Sequence, residues 1–238
     1  MRNILFYSGI LFISGSCNII SSETVHGNGK MTSETRNVSG ASRIESRGFF
    51  DIEIVKGTSP SVKIDADENL VPYIITRMED GNLVIRTKED ISLSSDDKIK
   101  VTVTTDKLEE VEVAGSGNIT SADKFDGSDH LKLSIAGSGD MKLQVNTPKV
   151  ESSIAGSGNI TLSGETKESK IEIFGNGDYN ADGLQSENVT VQIAGSGSAK
   201  VFSSVNLDVN IAGSGDVYYK GTPSIKQTVA GSGSIKSM

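Results

Sequence analysis

Seven pairs of glycines stand one residue apart: Gly115 and Gly117, Gly137 and Gly139, Gly156 and Gly158, Gly175 and Gly177, Gly195 and Gly197, Gly213 and Gly215, Gly231 and Gly233. Gly-x-Gly spacing can do chemistry in two ways. Its backbone N–H groups can cradle a phosphate, or its turn can present a following carboxylate to calcium. The phosphate loops need a GxGxxG ahead of a helix, or a following Gly-Lys-Ser/Thr. None of the seven has either, and a cradle needs one corner, not seven. The calcium nonapeptide places Asp one residue beyond the second Gly. Here Asp140 follows it directly, Ser198 and Ser234 replace it in two copies, and the second nonapeptide of each turn is missing. The glycines are therefore expected to be structural corners, with no metal and no cofactor.

Other residues offer chemistry of their own. Asp123, Asp126, Asp129 and His130 crowd the segment Ser121 to Leu131, the longest between two repeats. They form a candidate binding loop, and a solvated loop is the plainer reading. Glu112, Glu172 and Asp208 are outward carboxylates of the kind a groove hydrolase pairs, yet their spacing selects no pair. Serine catalysis has only His26 and His130 to draw on. Phe49, Phe50, Tyr179, Tyr218 and Tyr219 are candidate sugar platforms, against the plainer reading of core and edge packing.

The elements that position these residues repeat. Ala-Gly-Ser-Gly begins at Ala114, Ala136, Ala155, Ala194, Ala212 and Ala230, with an altered copy at Phe174, at spacings of 22, 19, 19, 20, 18 and 18 residues. That period belongs to solenoids. Before each corner stand alternating apolar residues such as Leu133 and Ile135 or Val191 and Ile193. After it come Met141 and Leu143, or Ile160 and Leu162. Alternation sends each pair to one face, so a unit reads strand, corner, strand. The variation in period falls away from the corner, as stacked coils require. The fold class is all-β, a solenoid of stacked coils, with repeats from about residue 111 and a less regular N-terminal strand region.

In that region Phe50, Ile52 and Ile54 alternate with Asp51 and Glu53, and regular structure is expected from near Phe49. Asn69 to Met78 suggests a short helix limited by Pro72. Asp80-Gly81-Asn82 marks a hairpin turn into a strand at Leu83. Residues 17–41, rich in Ser, Thr, Glu, Asn and Gly, read as a flexible tether, and 42–238 as one solenoid domain.

Composition narrows the function. Lys and Arg total 23 against 31 Asp and Glu, for a formal net charge of -8, and no basic stripe exists. Nucleic acid is excluded as a partner. At the N-terminus a positive start and an apolar run from Ile4 to Ile13 lead to Ser14-Gly15-Ser16-Cys17. This resembles a bacterial lipoprotein signal over residues 1–16 with Cys17 as the lipidated residue. An ordinary secretory signal with a chance cysteine is the competing reading. Ten apolar residues are too few for a permanent membrane span.

A lipoprotein-like signal, the Asp80-Gly81-Asn82-Leu83 hairpin, and repeated Ala-Gly-Ser-Gly-Asn/Asp followed by Ile119 or Ile160 resemble the bacterial head GIN domain family, the "putative auto-transporter adhesin" group. The resemblance runs from about Ser42 to Met238. It implies a right-handed parallel β-helix-like domain in the cell envelope with no established catalysis and no functional residue set to carry over. The expected protein is a non-enzymatic lipoprotein displaying a surface for a protein or glycan ligand. A membrane partner enters through the lipid. Asn18 after the cysteine favours the outer membrane, on a side left open. A glycan-active enzyme and a purely structural envelope component remain as alternatives. Self-association through the C-terminal coil, which shows no capping segment, is a further expectation.

Overall fold

Apolar residues two apart on each side of a glycine corner can be buried only if successive corners superimpose, and in the computed structural model they do. It describes residues 23–96 and 98–238. Before the corner, Val113, Ile135, Ile154, Ile173, Ile193, Ile211 and Val229 stand in register on successive parallel strands. After it, Ile52, Ile119, Met141, Ile160, Tyr179, Ala199, Val217 and Ile235 do the same. Strand makes up 71% of the described residues, wound into a β-solenoid of about 7 turns. One continuous core of mostly β-branched residues and leucines fills it. That answers the low aromatic content, because coils about 4.8 Å apart leave room for stacks of similar side chains rather than for large rings.

The first corner keeps only the first glycine of the repeat. Gly48 pairs with Gly115 and has φ 134°, so Arg47-Gly48-Phe49-Phe50 is the turn of an initial coil between strands Arg43–Gly48 and Asp51–Lys56. The chain then leaves the stack to build its end. Ser61–Asp67 runs antiparallel to Lys100–Thr105, and Met31–Asn37 antiparallel to Ser61–Asp67. On the other face Asn82–Thr87 pairs with Arg43–Gly48, and Ile74–Glu79 with Asn82–Thr87. The switch to antiparallel pairing ends the coil repeat at this side and covers its open edge.

Three expectations change here. Residues 23–41 are not a flexible tether: they hold strands Glu23–His26 and Met31–Asn37, the first paired in parallel with Ile91–Ser94. Met31–Asn37 is almost wholly exposed, so its stability comes from backbone pairing and from Arg36, which donates to the Ile74 carbonyl at 2.6 Å. Polar composition cannot reveal such an edge strand. Regular structure thus begins well before Phe49. Asn69 to Met78 gives one 3-10 turn at Val71–Tyr73 and then a strand, while Asp80 (φ 48°) and Gly81 (φ 85°) make the expected two-residue turn. The signal segment 1–16 and Cys17 lie outside the described residues.

The second bend of each coil has its own column. Thr105, Ser128, Thr147, Thr166, Ser186 and Ser203 are buried there, each eight or nine residues before the outer corner residue. Their hydroxyls donate to nearby carbonyls: Thr105 to Lys107 at 3.0 Å, Thr166 to Pro148 or Glu168 at 3.1 Å, Ser203 to Asn206 at 2.8 Å. Buried carbonyls at a bend need such partners. Thr166→Val keeps the shape and removes the donor. It is expected to cost about 1 kcal/mol, seen as a fall in melting temperature of about 2–4 °C.

Candidate functional site

The glycine corners come first, because their chemistry was the open question. Each first glycine has positive φ, from 126° to 139° across the seven repeats. Each second glycine has no such angle but no room either: a Cβ on Gly139 would lie 2.2 Å from the Gly117 carbonyl oxygen, and one on Gly158 2.3 Å from that of Gly139. The corner amides face the previous coil. Ser157 donates to the Gly137 carbonyl at 2.9 Å, and Gly158 to the same oxygen at 3.2 Å. Ser138, Asn176, Ser196, Ser214 and Ser232 repeat the first bond at 2.9 Å. An anion would find these N–H groups already used.

The residue after the corner is also committed to the neighbouring coil. The Asp140 amide donates to Asn118 Oδ1 at 3.3 Å, the Asn159 amide to Asp140 Oδ1 at 3.2 Å, and the Asp178 amide to Asn159 Oδ1 at 3.2 Å. The Ser198 amide reaches Asp178 Oδ1 at 3.0 Å, and the Ser234 amide Asp216 Oδ1 at 2.9 Å. Along the stack this column reads Asp51, Asn118, Asp140, Asn159, Asp178, Ser198, Asp216, Ser234. Charged and neutral residues alternate strictly. Carboxylates on adjacent coils would repel across about 4.8 Å, and the neutral residue between them also supplies a donor, as Asn159 Nδ2 does to Asp140 at 2.7 Å. Ser234 donates both its amide and its hydroxyl, and holds the Asp216 carboxyl below its usual range.

The segment Ser121 to Leu131 is less of a loop than expected. Asn118–Phe125 continues as a strand through a register shift between Thr120 and Lys124, Phe125 is buried, and His130 opens the next strand. Asp123 accepts from the Lys56 amide at 2.8 Å, while Asp126 takes the Lys56 ammonium at 2.6 Å, which holds its carboxyl low. His130 instead faces Glu151 on the next coil, at 3.3 Å. Asp129 borders a separate hollow with His130 and Lys132. Among the described residues no group of three or more His, Cys, Asp or Glu is placed to hold a metal ion.

The outward carboxylates also separate. Glu172 is paired with Lys170 at 2.8 Å and Asp208 with Lys226 at 3.1 Å. Glu112 stands in register with Glu45, and burial first, then Glu45 and Glu110, push its carboxyl up. The three occupy different coils.

Of the five rings, Phe50 and Tyr179 are fully buried core residues, so neither is a platform. Tyr219 packs partly into the core, and Lys236 lies 5.6 Å over the Tyr218 ring. Phe49 remains, 44% exposed and stacked on Phe50 with centroids 5.3 Å apart and planes 18° apart. It borders an open groove of about 800 Å³ at the capped end. Arg47, Arg77, Arg86 and Lys88 line this groove against two carboxylates, Glu79 and Glu89. Strand pairing assembles it: Arg47 is in register with Arg86, and Arg77 comes across the hairpin from the next strand. Arg77, Arg86 and Arg47 all reach the Glu79 carboxylate, the last two at 3.8 and 4.0 Å. Arg77 above all holds that carboxyl below its usual range. Arg86 also meets Glu89 at 3.6 Å and Arg47 pairs with Glu45, so the guanidinium groups are fixed in place. A positive hollow with a presented ring, on a chain of net charge -8, suits an anionic ligand with an apolar face. Sequence reasoning reached Phe49 but not the arginines, which are brought together only by the folded end.

Residues 40–223 match the family model described as "Putative auto-transporter adhesin, head GIN domain". The chain belongs to this family. The match takes in the initial coil, the capped end with its groove, and the repeats as far as Pro223. Among solved structures, the head GIN domain of this chain is similar to a putative adhesin from Bacteroides fragilis NCTC 9343, at 22% identity and TM-score 0.85, over 90% of this chain and 100% of that one. That likeness is one of fold. A putative lipid binding protein from Parabacteroides distasonis ATCC 8503 is 27% identical, with TM-score 0.75 over 91% and 100% of the two chains. A putative adhesin from Parabacteroides merdae ATCC 43184 is 27% identical, with TM-score 0.73 over 91% and 99%. A search of curated proteins returned no match. No helix among the described residues is long and apolar enough to cross a membrane.

Proposed function

We propose that this head GIN domain is a non-enzymatic binding module displayed in the cell envelope, held at the outer membrane by a lipid on Cys17, with the Phe49 groove as its contact surface. One observation carries the reading: the capped end joins a presented aromatic ring to fixed guanidinium groups in a hollow. The rest of the solenoid commits its corner amides to neighbouring coils and pairs Glu172 and Asp208 with lysines. The adhesin description of the family and of its structural relatives supports a binding role. Strand Glu23–His26 begins six residues after Cys17 and pairs with Ile91–Ser94 at the edge of the groove, so the lipid would hold that end within about 20 Å of the membrane surface with the repeats extending beyond it, and binding there requires no turnover.

The test is crosslinking with mass spectrometry on intact cells, with protease shaving and labelled palmitate alongside. The wild-type chain is expected to take up label that Cys17→Ala loses. It should also crosslink an envelope or surface partner that Phe49→Ala loses while its circular dichroism stays unchanged. Crosslinks indifferent to Phe49 would contradict the groove. So would reproducible glycan or ester hydrolysis abolished by Glu172→Gln, which would make the protein an enzyme.

A further inference from the structure

We infer that the Phe49 groove is a subsite for an acidic carbohydrate, a glycan carrying uronic-acid carboxylates; this rests on the groove being the binding surface. The ring of Phe49 cannot swing freely, because it stacks on Phe50, which is wholly buried beneath it. A fixed, half-exposed aromatic face suits the flat C–H face of a pyranose, which gains contact without the ring losing motion.

The charges beside it select the sugar's substituent. Arg47, Arg77 and Arg86 converge on the Glu79 carboxylate, while Arg47 is held chiefly by Glu45 and Arg86 also meets Glu89, so three guanidinium groups are gathered in one small region. Arg86 has a side chain only 15% exposed, and its Nη1 donates to the Thr87 carbonyl at 3.2 Å. Preorganised planar donors bind carboxylates well, since their geometry is already set. Four cations line the hollow against Glu79 and Glu89, and Glu45 behind them pairs with Arg47, which leaves an excess of one positive charge. That excess matches one ligand carboxylate.

Other ligand chemistries fit less well. A nucleic acid or polysulfated chain carries a higher charge density than a uronic-acid glycan, and would bring more negative charge to this small positive hollow and to the net charge of -8 beyond it. An acyl chain would find little apolar depth, because Leu93 is buried beneath the surface and Ile91 half-buried, leaving Phe49 as the presented apolar group. A neutral sugar would use the ring and leave the guanidinium groups idle.

The experiment is calorimetric titration of the full chain with trigalacturonate, with its neutral methyl ester, and with a glutamate-rich peptide. Variants are Phe49→Ala and Arg77→Ala, both at exposed side chains. The acid form is expected to bind, to weaken as salt is raised, and to lose about tenfold in affinity or more in each variant. The methyl ester is expected to bind at least tenfold more weakly than the acid. Equal binding of acid and ester, tighter binding of the peptide, or indifference to both substitutions would overturn the ligand class. If trigalacturonate fails while Phe49→Ala still abolishes crosslinking on cells, the ligand class falls and the groove stands. If the crosslinks also ignore Phe49, the groove falls with it.

Discussion

Gly158→Ala is expected to cost about 3 kcal/mol or more, read as a melting temperature lower by about 6–12 °C. Gly158 has no positive φ, so the substitution isolates space from backbone strain. The new Cβ would fall 2.3 Å from the Gly139 carbonyl oxygen and 2.7 Å from Ile135 Cγ2, both on the previous coil. Neither is the far end of a flexible side chain. The coils must then separate, and separation weakens the bonds from the Ser157 and Gly158 amides to Gly137. In a stack where each coil touches only its neighbours, a parted rung divides the core. Gly183→Ala is the control: its Cβ would meet Ser163 Cβ at an ordinary 3.5 Å, and a change within about 0.5 kcal/mol is expected. Equal effects at the two positions, measured by urea unfolding, would show that the corner glycines are not there for close approach.

Tyr179→Ala comes next, at about 3–5 kcal/mol. Tyr179 is the largest of the fully buried side chains, and its neighbours along the column are Ile160 on one coil and Ala199 on the next. The small residue on one side makes room for the large one, so truncation opens a void between coils that cannot close up. Tyr179→Phe keeps the ring and is expected to change stability by less than about 1 kcal/mol, because among the described residues the buried Tyr179 hydroxyl makes no hydrogen bond that the substitution would break. Burial pushes the phenol up, while the Ser152 and Ser169 hydroxyls nearby work against that shift. Had Tyr179 been a surface sugar platform, as its residue type allows, Tyr179→Ala would leave stability nearly unchanged. Urea denaturation separates the two.

These two residues show what could be read from the sequence and what could not. The glycine corners were legible because one geometric demand recurs at every coil and only glycine meets it. Strands on both sides followed from alternation alone. The initial corner escaped because Phe50 stands where later coils have the second glycine, and Arg47 where they have Ala. On its other side that coil meets strand Lys100–Thr105 and not another glycine corner, so the demand for a second glycine is relaxed there. Tyr179 was ambiguous because alternation marks a face, while the compensating Ala199 is a neighbour only once the coils stack. The hydroxyl column was visible as Ser or Thr recurring before each corner, but Ser and Thr in a polar stretch read as loop until their carbonyl partners are known. Met31–Asn37 was missed because an edge strand needs no apolar face.

The groove was the least legible part. Its arginines come from an initial strand and from both arms of a hairpin, and no spacing in the chain announces that Arg47 and Arg86 are in register. The Asp/Asn column recurs in the sequence directly after the corners, at Asn118, Asp140, Asn159, Asp178 and Asp216. Its alternation of charge acquires meaning only when each residue is seen to serve the next coil's amide rather than its own turn.

The central claim is that the repeated corners are consumed by coil stacking and that recognition is left to the capped end. Native-state hydrogen exchange at the corner amides of Ser138, Ser157, Asn176, Ser196 and Ser214 tests it most directly, with and without added phosphate and calcium. The account predicts exchange as slow as that of the core strands, with no change on adding either ion. Fast exchange at these amides, slowed by phosphate or calcium, would mean that the corners are open ligand sites and would contradict it.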